Sequence, residues 1–82
     1  MHLENLVSMA NQIGQFFSAY PDRQEAIDGI ATHIHKFWEP RMRNLILDGI
    51  DQQNLPTLLP LVRQALEQHG DKLRPALASA SR

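Results

Sequence analysis

Prolines at positions 21, 40, 56, 60 and 75 cut this chain into short pieces. Each proline fixes φ and gives up a backbone donor, so it ends a helix or begins one. Between the prolines, apolar residues recur at three- and four-residue steps, the spacing of one helical face. No stretch alternates with the period of two expected of a half-buried strand. The expected fold is therefore all-α, a small bundle of three to four short amphipathic helices followed by a flexible C-terminal tail.

The first helix is expected from Leu3 to Ala19, with Leu3, Leu6, Val7, Ala10, Ile13 and Phe17 on its apolar face and Phe16 widening the stripe. Tyr20-Pro21 ends it, because the residue before proline is pushed out of the α region. Asp22, followed three residues later by Glu25, resembles a capping box for the second helix. Ile27, Ile30, Ala31, Ile34, Phe37 and Trp38 form its stripe, and it is expected to stop near Glu39, before Pro40. Pro40 suits the first position of a third helix, whose face is Met42, Leu45, Ile46, Gly49 and Ile50. Thr57 is the expected cap of the fourth helix, with Pro60 at its third position and Gly70 as its stop. Residues 1–70 are read as the helical domain. Residues 71–82, rich in Ala and Ser, are read as the flexible tail.

A chain of 82 residues is one small domain. It has no cysteine, which rules out disulfides and thiolate-held zinc or iron–sulfur sites. The formal charge is −1, so no global basic field draws it to nucleic acid. No apolar run approaches the roughly 20 residues of a membrane span, and the first residues do not read as a signal peptide. The expectation is a soluble cytoplasmic protein without a nucleic-acid or membrane partner.

The junction of the second and third helices concentrates the outward-pointing signals. Phe37, Trp38, Glu39, Pro40, Arg41 and Arg43 place two aromatics beside two arginines, residue types that anchor protein interfaces. The aromatics serve equally well to plug a core. The third helix also carries its charges against its dipole, with Arg41 and Arg43 at its start and Asp48 and Asp51 at its end. Glu39 and Arg43, four apart, are placed to offset part of this. Arg41 and Arg43 are accordingly candidates to pair with carboxylates of a partner. Gly14, Gly29 and Gly49 each interrupt a helix, which implies close approach of a neighbour, either internal or in a second chain.

No catalytic constellation emerges. The serines lack nucleophile-elbow glycines. His33 and His35 are two apart and face different ways on a helix, whereas helical metal pairs sit three or four apart. Neither a phosphate loop nor a paired-carboxylate site is present, so no catalytic, cofactor-binding or metal-ligating residue is assigned.

The run Met9-Ala10-Asn11-Gln12-Ile13-Gly14 lies within the block from Asn5 to Phe17. Tyr20-Pro21-Asp22, then Gly29 to Ile34, and then Lys36-Phe37-Trp38-Glu39-Pro40-Arg41-Met42-Arg43 follow in that order. Together these blocks, across roughly residues 3–66, resemble the delta subunit of NAD-dependent formate dehydrogenase. The resemblance implies a non-catalytic accessory subunit of a cytoplasmic complex that oxidises formate and reduces NAD. It implies a large catalytic subunit with molybdopterin (molybdenum or tungsten) and iron–sulfur clusters, and further subunits with FMN, as partners. It transfers no cofactor to this chain. On this reading the Phe37–Arg43 junction and the exposed side of the first helix dock on the large subunit and support assembly or stability. The alternative is a stand-alone helical interaction or regulatory module, as a homodimer, or a weak nucleic-acid binder using Lys36, Arg41, Arg43 and Arg63.

Overall fold

The computed structural model describes residues 2–75. Among them the chain forms five helices and no strand: α1 (Leu3–Phe17), α2 (Arg23–Phe37), α3 (Pro40–Asp51), α4 (Pro60–Gln68) and the single turn α5 (Gly70–Leu73). The stripes read from sequence meet in one core. Leu6 of α1, Ile27, Ile30 and Ile34 of α2, Ile46 of α3 and Val62 of α4 are all almost completely shielded from solvent.

Local chemistry sets the helix limits. Asp22 caps α2, its carboxylate accepting the Glu25 backbone N–H at 3.0 Å. Only this half of the capping box forms. Pro40 opens α3 at its first position, as its fixed φ favours. α2 ends at Phe37, two residues before the expected stop, because both Trp38 and Glu39 are extended. At the far end of α3, Gln53 takes φ 54°. The Gln53 N–H then reaches the Ile50 carbonyl at 3.0 Å and the Asn54 N–H reaches Gly49 at 2.9 Å. That pair of bonds is the Schellman arrangement, here closed without the usual glycine.

The start of α4 differs from the sequence expectation. Leu59, not Thr57, is the capping residue, and Pro60 is the first helical position. The reason lies on α1. Asn11 donates its amide to the Thr57 carbonyl at 3.0 Å and accepts the Leu59 N–H at 2.9 Å. One side chain thus holds both ends of the turn into α4. Asn11→Ala leaves the part-buried Leu59 N–H without a partner and is expected to cost about 1–3 kcal/mol, read as a lower urea midpoint.

The glycines in α1, α2 and α3 meet internal neighbours. A Cβ on Gly14 would run into Val62 Cγ2, and one on Gly49 would lie 2.9 Å from Leu55 Cδ2. The ring of Phe17 covers Gly29 in the same way. Val62 is fully buried and stiff at χ1, so it has nowhere to retreat. Gly14→Ala gains up to about 1 kcal/mol in helix propensity. It loses roughly 1–3 kcal/mol to overpacking, so net destabilisation is expected in a urea titration.

α4 ends just before Gly70, at Gln68, as expected, but the packed chain continues beyond it. Gly70 has no positive φ and opens α5. Leu73 is fully buried, and Pro75 is buried too. The Arg74 guanidinium reaches Asn44 at 3.0 Å, Asp48 at 2.9 Å and Asp51 at 2.8 Å. Residues 71–75, placed in the tail by sequence, therefore belong to the packed domain. The rest of the expected tail, 76–82, lies outside the described residues. Arg74 also answers the acids at the end of α3: a cation at the end of α5 meets the charge that opposes their own helix. The pairs are half-exposed, so each contributes at most about 1 kcal/mol.

Candidate docking surface

The buried stripe of α2 runs Ile27, Ile30, Ile34 and on to Trp38, in steps of three and four. Trp38 is only 5% exposed and belongs to the core. Phe37, the last residue of α2 and three on from Ile34, also falls at helical spacing, yet it is 69% exposed, while the extended Trp38 that follows turns into the core. The six residues singled out at the α2–α3 junction therefore separate. Trp38 turns inward, which corrects its expected place among the surface anchors. Phe37, Glu39, Pro40 and Arg41 are exposed. Arg43 is half-buried, and its Nε is shielded without a hydrogen-bond partner. The expected Glu39–Arg43 pair does not form. Among the described residues Lys36, Arg41 and Arg43 enter no ion pair.

α1 contributes a second stripe, of which Ile13 packs partly against the core while Met9 and Phe16 stay exposed. Met9, Ile13 and Phe16 recur in steps of four and three on the flank beside its buried face. Phe16 is 67% exposed and Met9 42%. These side chains face His33 and Phe37 of α2 and Met42 of α3 across an open groove of about 540 Å³, which Phe17 and Trp38 also line. The His33 and Phe37 rings lie 4.8 Å apart, and Phe16 meets Phe17 edge-on at 5.1 Å. Exposed Phe and Met gathered on one face are the signature of an interaction surface, whereas scattered single ones are not. Sequence reading named Phe37 in the candidate surface, but took Phe16 as a widening of the apolar stripe of α1 and did not place Met9 or Met42 beside it. The 9–13–16 spacing was the available signal.

The remaining candidates have other duties. Arg63 donates to the Leu55 carbonyl at 2.6 Å, on α4 and away from the junction. His69 Nε2 lies 2.9 Å from Asp28 Oδ1. The Gln24 amide first, and His69 second, hold the Asp28 carboxyl below its ordinary range. Its lowered pKa favours the fold above the usual carboxylate pKa, and that contribution fades as pH falls through the lowered value. Among the described residues no three His, Asp or Glu side chains gather to hold a metal, and no helix is long and apolar enough to cross a membrane.

Comparison with known proteins supplies a family. The model of the NADH-dependent formate dehydrogenase delta subunit family, FdsD, matches residues 5–66. No curated protein and no solved structure matches the chain. The matched span includes α1, α2 and α3 almost whole, all the groove residues and most of α4, so the chain belongs to the delta-subunit family of NADH-dependent formate dehydrogenases.

Proposed function

We propose that this chain is a non-catalytic accessory subunit of a cytoplasmic formate dehydrogenase. It docks through the Met9–Phe16–Phe37 face on the large catalytic subunit and supports assembly or stability of the complex. The observation that carries this reading is the exposed aromatic groove, since a chain with a packed core has no internal use for two phenylalanines in water. Redox chemistry at molybdopterin, iron–sulfur clusters, FMN and NAD falls to the other subunits. Neither nucleic acid nor membrane is a partner in this account, in keeping with a net charge of −1. A tagged form of the chain, captured from its native cytoplasm, tests it. Recovery of a large molybdopterin subunit with formate-dependent NAD reduction is the expected result. Recovery of the chain alone as a stable dimer overturns the reading and assigns the groove to self-association.

A further inference from the structure

We propose that the groove between α1, α2 and α3 receives a single amphipathic helix of another formate dehydrogenase subunit, its apolar side chains in the groove and its carboxylates against Lys36 and Arg41. This inference rests on the docking reading above and names what docks. Its first support is length. Met9 and Phe16 are seven residues apart on α1, which is about 10 Å of rise, or two turns. A bound helix presents anchors at i, i+3 or i+4, and i+7 over the same distance. Among the described residues no strand edge exists to take up an extended peptide, which leaves packing of side chains into the groove.

Charge supplies the second support. No acidic side chain lines the groove. Residues 36–43, which border it at Phe37 and Met42, carry Lys36, Arg41 and Arg43 against Glu39 alone, in a chain whose net charge is −1. Arg74 is fully engaged by acids of its own chain, yet none of these three cations is paired. The local excess of positive charge calls for carboxylates from outside. The same excess disfavours a second copy. A two-fold dimer apposes the same patch on both subunits, so closing this groove on itself would bring cation against cation.

The test uses the full chain, titrated at low and high salt into the remaining formate dehydrogenase subunits purified without it. Lys36→Glu with Arg41→Glu is expected to weaken binding at low salt by about ten-fold or more and to abolish the salt dependence seen with the native chain. Both side chains are exposed, so the circular dichroism of the variant should match the native chain. Lys36→Gln with Arg41→Gln, which removes charge without reversing it, should lose less. Carbodiimide coupling should join Lys36 to an Asp or Glu within a helical segment of a partner subunit. If the native chain binds and the reversed variant binds equally well, this inference falls while the docking reading stands. Coupling of Lys36 to a second copy of the chain also overturns it. If the native chain does not bind the other subunits at all, both fall.

Discussion

Trp38→Ala is expected to cost about 3–5 kcal/mol, the usual range for deleting a large buried aromatic. The indole is 5% exposed and continues the α2 core stripe past the end of the helix. It fills the corner where α2 gives way to α3. A single core of this size supplies only about 3–5 kcal/mol in total, so the variant should be largely unfolded or loosely packed at 25 °C. Urea and thermal melts followed by circular dichroism read this directly. A loss below about 1 kcal/mol, at the low end of what single changes do, would mean that the indole does not pack the core. Loss of partner binding in this variant is a consequence of lost structure and says nothing of the docking face.

Phe16→Ser with Phe37→Ser should behave in the opposite way. Both rings are more than two-thirds exposed, so stability should stay within about 0.5 kcal/mol of the native chain. Aromatic anchors at the centre of an interface are worth about 2 kcal/mol or more each. That is roughly thirty-fold in affinity for one ring, and a non-additive but larger loss for two. Titration of the variant into the other formate dehydrogenase subunits should show weak binding by a well-folded chain. Lys72→Ala, on α5 away from the groove, should leave affinity unchanged. Native affinity in the double variant would remove the groove from the interface.

The contrast between Trp38 and Phe37 shows how much of the molecule is legible in its sequence. Steps of three and four from Ile27 through Ile30 and Ile34 reach both aromatics, so spacing alone does not say which is buried; that is decided where the chain leaves the helix at Trp38. The proline positions and the Asp22 cap mark helix limits to within two residues. What escaped was non-local. The entry to α4 is set by Asn11, whose bond to the Leu59 N–H spans 48 residues of chain, and no local pattern at Thr57 reveals it. α5 is one turn long, too short for any periodicity of its own. Leu73 and Arg74 are held only because α4 returns the chain beside the acids of α3. The glycines announced close approach, and the neighbours, Val62, Phe17 and Leu55, became nameable once the helices were packed. Of the candidate surface, the Phe37 and Arg41 end carries its residue types in one short run and stands out in sequence. Met9 and Met42 joined it only when α1 and α3 were brought to the same groove.

Amide hydrogen exchange, compared between the free chain and the chain within assembled formate dehydrogenase, tests the docking claim most directly. Added protection is expected along α1 from Met9 to Phe16 and at the α2–α3 junction from His33 to Met42, with little change on α5. Protection confined to α4 and α5, with the groove exchanging as in the free chain, would contradict it.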